Sequence, residues 1–410
     1  MVQRSAEFIN RANAVYQDLT NYQDNLNKQI KEKVTTINQY GKQIQALNDQ
    51  IRKIECGGIE HANDLRDTRN QILDELGKLC KMTYSEDSTG NVSVRIENSD
   101  FVRGDLFYEI GLDASDATGF YTPFWIKDAE YTVLADGTKK YNIEGAEVFN
   151  LDQTVSSSLD TDIGGLKALL LARGDHRSNY TDINNNYDSI SQSIVMNVQA
   201  EFDQMIHSVT TRINGILAEV YDPSRGYMCD KDGSPLQLFQ KVTTDGYEKV
   251  TDAGGNVTWK YAEEDPARTD TLYTLGNLQV NANLLREPSM LSFKKADGSA
   301  DYDTTDKLKA AFTDESYTLN PNVLKKTTFV DYYKDLVSQV ANTGSAFRNI
   351  YENQQTTVEA TYNAREQIVG VSSEEELSNM IRFQNAYNAS SRYINVINEL
   401  LEHIISTLAV

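Results

Sequence analysis

The chain has 410 residues with a net charge of −21, a length that allows two or three domains and a sizeable core. The acidic charge disfavours a nucleic-acid partner and an anionic membrane surface. A mean hydropathy of −0.52, without any run of about 18 apolar residues, predicts no helix that inserts into a membrane. The first residues carry no cleavable secretion signal, and the three cysteines show no metal or disulfide spacing.

An apolar stripe with the pitch of a coiled coil runs along the first 55 residues. Its members recur mostly at steps of three and four, at Phe8, Ala12, Val15, Leu19, Tyr22, Leu26, Ile30, Val34, Ile37, Tyr40, Ile44, Leu47, Ile51 and Ile54. The mean step of about 3.5 residues predicts a helix over 3–55 that lies along another helix. Gly57-Gly58 is expected to end it. A second helix, beginning at Asn63 after a short loop, is expected to pack antiparallel to the first.

The period changes to two after residue 83. Val92, Val94 and Ile96 alternate after a turn, and the residues from 106 to 112 alternate again. Asp136-Gly137 stands between two further alternating runs, which is a hairpin signal. These patterns predict antiparallel β structure from 83 to about 160.

Helical spacing returns at residue 163 and continues as a long helix from Ile190 to Val220, which Asp222-Pro223 ends. The turn-rich stretch from 223 to about 320 is interpreted as a second β region with short helices. Leu324 to Val369 predicts another long helix. The last helix is expected to open with a capping box formed by Ser373 and Glu376.

Together these elements predict an elongated α+β fold. We expect a discontinuous helical rod domain of residues 1–82, 163–222 and 322–410, built as a bundle or coiled coil from both chain ends. A β-rich domain of residues 83–162 and a second, outer β-rich insertion of residues 223–321 interrupt it.

Four segments resemble the family of flagellar hook-associated protein 1, the hook-filament junction proteins. They are ANDLRDTRNQILDEL at 62–76, IGGLKALL at 163–170 with the helix that contains Asn214, LQVNANLLREP at 278–288, and the stretch from Gly370 to Leu401. Other axial flagellar proteins share the fourth segment in looser form, whereas the first and third are more particular to this family.

The resemblance implies a non-enzymatic structural protein of the extracellular bacterial flagellum, exported through the flagellar type III apparatus without a cleavable signal. It implies a ring of subunits between hook and filament, with the hook protein and hook-associated protein 3 as neighbours. Family members begin with a further helix and an Asn-rich motif, so the sequence is interpreted as a trimmed chain. The residues 365–369 also depart from the serines that the family often carries before its glycine turn.

The stripe along the last helix is the predicted contact surface. Because the resemblance places the partner of this helix in the missing N-terminal segment, its apolar residues are expected to contact other subunits or a flagellar export chaperone. They are Leu377, Ile381, Tyr387, Ile394, Ile397, Leu401, Ile404 and Leu408.

No catalytic, cofactor or metal constellation stands out in the sequence. The four histidines lack a two-histidine helical spacing, and His207 is interpreted as a structural histidine beside an apolar helix face. Cys56 and His61 are separated by a Gly-Gly turn. Asp182, Asn184 and Asn186 start like a calcium loop, but Tyr187 replaces the required glycine and Ser193 the required glutamate.

Beside a junction protein, a secreted hydrolase with a site hidden in the β insertion is disfavoured because no catalytic motif occurs, and two alternatives remain. One is another axial flagellar protein, either hook-associated protein 3 or a flagellin-like subunit. The other is an extracellular adhesin or carbohydrate-binding protein that uses its β domains as binding heads.

Overall fold

The computed structural model describes residues 1–408 except 59, 60, 115–117, 186, 253, 254, 296 and 371, and their side chains except those of 157, 369 and 400–408. The chain divides into two compact units, Met1–Ser338 and a second that begins at Gln339. The predicted α+β class is confirmed, with long helices near both chain ends and small antiparallel sheets between them.

The first unit is organised around helix α1, Val2–Glu55. Helix α2, Asn63–Leu79, follows it. Arg66 Nη2 contacts Glu55 Oε2 at 2.6 Å, and three residues later Arg69 Nη1 donates to Asn48 Oδ1 at 3.0 Å. Because α2 moves back along α1 as its numbering rises, the two helices are antiparallel, as predicted.

The buried seam of α1 departs from the predicted stripe in its first half and again at the end of the helix. Val15, Tyr22 and Ile54 are exposed, whereas Thr20 and Gln23 are buried. Gln23 Nε2 donates to the carbonyls of Arg173 at 2.7 Å and His176 at 2.9 Å. The prediction for Val15 and Tyr22 is wrong because Thr20 and Gln23 are buried in the seam there, and the two hydrogen bonds hold Gln23 in place. The prediction for Ile54 is also wrong, since its side chain is exposed at the end of the helix. From Leu26 to Ile51 the predicted residues are buried except Tyr40, which is half-buried, and Gly41 and Asn48 join the buried line.

The first β region contains eight short strands. They are β1 Met82–Glu86, β2 Val92–Ile96, β3 Ser99–Arg103, β4 Leu106–Phe107, β5 Ile110–Asp113, β6 Thr122–Trp125, β7 Glu130–Val133 and β8 Lys139–Asn142. Strands β1 to β4 form one antiparallel sheet in sequence order, whereas β5 pairs with β6 and β7 with β8. The β7–β8 hairpin confirms the Asp136-Gly137 turn, where Gly137 has φ +83°.

Two features of this region differ from the prediction. The alternation over 106–112 is not one strand, because β4 and β5 belong to different sheets. The last named strand ends at Asn142, and the described residues from 143 to 160 contain a short 3₁₀ turn at Ser157–Leu159 instead of further strands.

Two asparagines on α1 bind this region through their side-chain amides, each of which bonds to the N–H and the carbonyl of one strand residue, as a neighbouring strand would. Asn48 Nδ2 donates to the Val92 carbonyl at 2.8 Å while its Oδ1 accepts the Val92 N–H at 3.1 Å. Asn38 forms the same pair of bonds with Ile110 at 2.8 and 3.0 Å. The strands are therefore held to α1 by hydrogen bonds as well as by apolar packing.

Four helices follow, and the last of them is the second long element of the first unit. They are α3 Gly165–Arg173, α4 Tyr180–Asn185, α5 Tyr187–Ser191 and α6 Ile194–Glu219. Ser193 caps α6 through its side chain, which accepts from the Met196 N–H. Helix α6 lies against other elements around much of its circumference, so it buries polar as well as apolar side chains.

The second β region combines short strands with short helices, as predicted. Its elements are β9 Phe239–Lys241, β10 Tyr247–Thr251, β11 Val257–Tyr261, β12 Leu278–Val280, α7 Ala282–Arg286 and α8 Tyr302–Ala311. Strand β9 pairs with β12, and β10 with β11, both antiparallel. Asn214 on α6 binds Phe239 as Asn48 binds Val92, with Nδ2 donating at 2.7 Å and Oδ1 accepting at 3.1 Å.

Two large apolar cores and one small one lie in the described part of the first unit. The first joins the start of α1 with α6, the second β region and the residues from Phe329 to Leu336. The second joins the middle of α1 with α2, α3 and the first β region, and the small one joins α4, α5 and the start of α6. Each β region therefore packs against α1, and the division of the chain into three domains stays a prediction.

Two long helices complete the chain. Helix α9, Phe329–Val369, begins in the first unit and belongs to the second from Gln339 onward, and α10, Ser373–Leu408, follows it. None of the helices in the described part of the chain is both long and apolar enough to cross a membrane.

Candidate assembly surface

Helix α10 begins with a cap one residue earlier than predicted. The Glu375 N–H donates to Ser372 Oγ at 3.4 Å, and the Glu376 N–H donates to the Ser372 carbonyl at 3.0 Å. The predicted capping box of Ser373 and Glu376 is wrong because Ser373 is already the first helical residue. The acidic side chains of the first turn still favour the helix dipole.

The predicted contact residues lie on this helix, and the side chains that the structure describes are exposed. The exposed fraction ranges from 37% at Ile397 to 76% at Tyr387. The other three described members are Leu377, Ile381 and Ile394. The side chains of Leu401, Ile404 and Leu408 lie outside the described residues.

The sequence prediction missed further apolar side chains on the same helix. Met380, Phe383, Tyr393 and Val396 are at least half exposed. They lie between the predicted positions, so α10 presents apolar groups around more of its circumference than one coiled-coil stripe. Scoring every large apolar residue of the helix, not only those at steps of three and four, would have found them.

Helix α9 has the same character within the second unit. Phe347, Ile350, Tyr351, Val358 and Tyr362 are all more than half exposed. Large apolar side chains in water forfeit the free energy that burial would give, about 1.5–3 kcal/mol each. Contiguous faces of this kind are typical of surfaces that another protein covers.

His207 and the acidic side chains around it have structural partners. His207 stacks on Tyr180 with ring centroids 3.7 Å apart, and its Nε2 lies 3.1 Å from Glu264 Oε1. Glu264 Oε2 accepts from the Tyr180 hydroxyl at 2.6 Å and the Tyr273 N–H at 2.9 Å. His207 therefore helps to hold the second β region against α4 and α6, and its interpretation as a structural histidine stays a prediction that these contacts support.

Asp203 lies beside this cluster and is almost fully buried. Its carboxylate accepts the N–H groups of Tyr180 at 3.0 Å and Leu275 at 2.6 Å. Burial raises the pKa of Asp203 to about 7, although these two N–H groups and the nearby His207 act in the opposite direction. The carboxylate joins two backbone segments to α6.

The remaining candidates from the sequence also make local contacts. The exposed Cys56 Sγ donates to the Lys53 carbonyl. Asp182 lies in α4 and accepts the Asn179 N–H at 2.8 Å, while Asn186 lies outside the described residues. Within the residues that the structure describes, no three His, Cys, Asp or Glu side chains are grouped so that they could hold a metal ion.

Two family models match the chain. The model of the flagellar hook-associated protein FlgK helical domain matches residues 1–226. The model of the flagellar basal body rod FlgEFG protein C-terminal region matches residues 367–407, which include all of the predicted contact residues except Leu408.

Relatives with assigned names show the same similarity over nearly the whole chain. Flagellar hook-associated protein 1 of Bacillus subtilis is 25% identical over 97% of this chain and 69% of its own length. Flagellar hook-associated protein 1 of Escherichia coli is 24% identical over 99% of this chain and 76% of its own length.

Among solved structures, the flagellar hook junction protein FlgK from Burkholderia pseudomallei matches at a TM-score of 0.38 and 20% identity. The match covers 68% of this chain but only half of the length of that structure's chain. Membership rests instead on the FlgK helical-domain model, which matches more than half of the residues. The chain therefore belongs to the family of the flagellar hook-associated protein FlgK and is a structural component of the bacterial flagellum.

Proposed function

We propose that this chain joins the hook of the bacterial flagellum to its filament, acting as a structural part and not as an enzyme. One observation carries the proposal. In a chain of the FlgK family, the segment that matches a flagellar rod model is a helix whose described apolar side chains are exposed. A helix of this kind is suited to a wall built from packed helices.

The physical mechanism is the burial of apolar helix faces between neighbouring copies. Leu377, Ile381, Tyr387, Ile394 and Ile397 are exposed on α10, and we extend their role to Leu401, Ile404 and Leu408 further along the helix. Each side chain that becomes buried contributes about 1.5–3 kcal/mol before the cost of association. Until assembly, a flagellar export chaperone with an apolar groove is expected to cover the same face.

The same proposal specifies neighbours and location. Copies of the chain form a ring, with the hook protein on one side and hook-associated protein 3 on the other. The protein acts outside the cell after export through the flagellar type III apparatus. The helical segments 1–82, 163–222 and 322–410 serve the wall, and the two β regions face outward.

A structural role agrees with how the polar side chains of the first unit are used. The carboxylate of Asp203 and both oxygens of Glu264 bind backbone or side-chain donors of the chain itself. Groups committed to holding segments together in this way are poorly placed to bind a substrate, which supports assembly over catalysis.

Deletion of the gene in a motile bacterium tests the proposal. Hooks are expected to persist, whereas filaments fail to stay attached and flagellin accumulates in the medium. Re-expression of the full-length gene should restore attached filaments. Normal swimming of the deletion strain, with filaments on its hooks, would rule out the junction role.

A further inference from the structure

Two lines of residues at heptad spacing run along the middle of α1, and they differ in composition. One line is isoleucine throughout and fully buried, at Ile30, Ile37, Ile44 and Ile51. The other, the mixed line, consists of Asn27, Val34, Gly41 and Asn48. Together the two lines alternate steps of three and four residues, which is the pattern of the a and d positions of a coiled coil. In the mixed line only Val34 is an apolar residue of the usual size.

The two asparagines at the ends of the mixed line bind backbone segments of the first β region. Asn48 accepts the Val92 N–H at 3.1 Å and donates to the Val92 carbonyl at 2.8 Å. Asn27 Oδ1 accepts the Tyr121 N–H at 2.8 Å, and its Nδ2 donates to the Gly119 carbonyl at 3.1 Å. The residue number rises on α1 as it falls in the bound segments. The asparagines therefore hold the region at two points about 30 Å apart along the helix.

Gly41 lies between the asparagines and makes room for aromatic rings. A Cβ at this position would overlap the ring of Phe107 and would lie 2.6 Å from Phe101 Cζ. Phe101 is fully buried, and the two rings are in edge contact with their centroids 5.4 Å apart. The rings therefore require the absence of a side chain at this one place on the helix.

A shift of α1 by one heptad relative to the first β region would preserve most of the isoleucine line but not the mixed line. The two phenylalanine rings would face Val34 or Asn48 in place of Gly41, and either side chain would overlap them. Val92 would face Gly41 or a glutamate in place of Asn48, and neither offers an amide. A uniformly apolar line would accept the same shift because equivalent side chains would replace one another. The mixed line therefore distinguishes one register from its neighbours.

The same line disfavours pairing of α1 with α1 of another copy. In a parallel pair with this seam, Asn27, Gly41 and Asn48 would each face their counterparts. Asparagine at a seam position lowers the stability of a coiled coil, and facing glycines leave a cavity. The isoleucine line alone would favour such a pair, so the mixed line acts against an association that the heptad pattern otherwise promotes.

We propose that the mixed line sets the register of α1. It lets α1 accept the first β region in a single register, and it prevents the seam of α1 from pairing with α1 of another copy. In a protein whose helices assemble between copies, this restriction keeps α1 within its own fold. The role goes beyond the junction function and does not depend on it.

Cross-linking of the full chain tests both parts of the proposal. Unlabelled copies and copies labelled with a heavy nitrogen isotope are mixed in urea, refolded together and treated with a carbodiimide, which joins a lysine amine to a carboxylate. Lys42 Nζ lies 3.6 Å from Glu109 Oε1, so their cross-link reports the native register. A cross-link of Lys31 or Lys33 to Glu32 that contains both isotopes reports pairing of α1 between copies. In the parent we expect only the first cross-link, within single copies.

The double variant Asn27→Leu, Asn48→Leu makes the mixed line more apolar. The Lys42–Glu109 cross-link is expected to fall roughly tenfold, because the native register loses its buried bonds to Val92, and mixed-isotope cross-links of α1 should form. The single variant Asn27→Leu, which keeps the Asn48 bonds, should show a smaller change in the same direction. The matched control, Asn25→Leu with Gln39→Leu, adds two leucines on the exposed side of the same helix and should behave as the parent does.

Three results would overturn the proposal. One is an unchanged Lys42–Glu109 cross-link in the double variant, because the native register would then not need the asparagines. Another is loss of this cross-link without mixed-isotope cross-links of α1, because the asparagines would then only stabilise the fold. The third is an equal level of mixed-isotope cross-links in the Asn25→Leu, Gln39→Leu control, because added leucine alone would then explain the pairing.

Discussion

Replacing Asn48 by alanine tests how α1 holds the first β region. Asn48 is 1% exposed, and its side-chain amide bonds to both backbone groups of Val92 and to Arg69. In the variant, the N–H and the carbonyl of the buried Val92 lose these bonds. Arg69 Nη1 still donates to the Gly90 carbonyl oxygen at 2.6 Å, so the loss of its bond to Asn48 costs less than the loss of the bonds to Val92.

The size of the effect follows from those two backbone groups. A buried donor or acceptor left without a partner costs about 1–3 kcal/mol, and some of this is recovered if the neighbouring strand relaxes. We therefore expect Asn48→Ala to lower the free energy of unfolding of this region by about 2–4 kcal/mol.

The assay uses a tryptophan in the same core. Trp125 is 3% exposed and belongs to the core that α1 shares with the first β region. The other tryptophan, Trp259, lies on β11 and is replaced by phenylalanine. Urea unfolding followed by Trp125 fluorescence should then report this core.

The matched control is Asn25→Ala on the exposed side of α1. Asn25 only accepts a bond from the neighbouring Gln29, so its loss should stay within about 0.5 kcal/mol. If the urea midpoint of Asn48→Ala differs from that of the parent by no more than the midpoint of Asn25→Ala does, the reasoning is wrong.

Three further predictions use the same chain. Gly41→Ala should destabilise the first β region by about 1–3 kcal/mol, because a Cβ at Gly41 would overlap the rings of the half-buried Phe107 and the buried Phe101. In contrast, Gly77→Ala, whose Cβ has room, should stabilise this region by about 0.5–1 kcal/mol. A stabilising Gly41→Ala in the urea assay would contradict this prediction. The pKa of Asp203 is raised by burial to about 7 in the folded chain from an ordinary 3.8. The folded state therefore binds this proton more tightly, and the group makes the free energy of unfolding fall as pH rises from about 4 to 7. Asp203→Asn should remove this contribution to the pH dependence of the free energy of unfolding. The same pH dependence between pH 4 and 7 in the parent and the variant would contradict this prediction. Iodoacetamide at pH 8 should label the exposed Cys56 and leave Cys80 unlabelled, because burial raises the pKa of the Cys80 thiol to about 12. Equal labelling of the two cysteines in mass spectrometry would contradict this, because it would show that reagent reaches the core that contains Cys80.

The long helices and the Asp136-Gly137 hairpin were predictable because each follows from one local rule. A step near 3.5 residues over the whole of α1 predicts a helix, and an Asp-Gly pair between alternating runs predicts a hairpin. The strand register was less predictable, because Val133 pairs with Lys139 and leaves the five residues 134–138 between the strands, where a two-residue turn would leave two.

Other features depend on contacts distant in sequence. Gln23 is buried because it reaches carbonyls about 150 residues away, so the apolar period alone misplaced the seam at Val15 and Tyr22. The same holds for Asn48 and Asn214, whose pairing with strand backbones cannot be read from a helix sequence. The N-cap of α10 could be either Ser372 or Ser373 from the sequence alone, because the two serines are adjacent and both precede the same glutamates.

The candidate surface was predictable in place but not in extent. The apolar stripe predicted that α10 makes contacts. It omitted Phe383 and Tyr393, because a coiled-coil period selects only the residues along one face of the helix. Surfaces built from several elements, such as the core that α1 shares with the start of α9, could not be predicted, because their residues lie about 300 positions apart in the chain.

The central claim is that the apolar face of α10 attaches the filament to the hook. In a deletion strain that carries this chain, electron microscopy gives the fraction of hooks that bear a filament. Ile381→Asp combined with Ile394→Asp should reduce that fraction to near the level of the empty deletion strain, while Asn388→Asp on the same exposed helix should leave it unchanged. Filaments on hooks at the parent level in the double variant, with the protein exported normally, would contradict the claim.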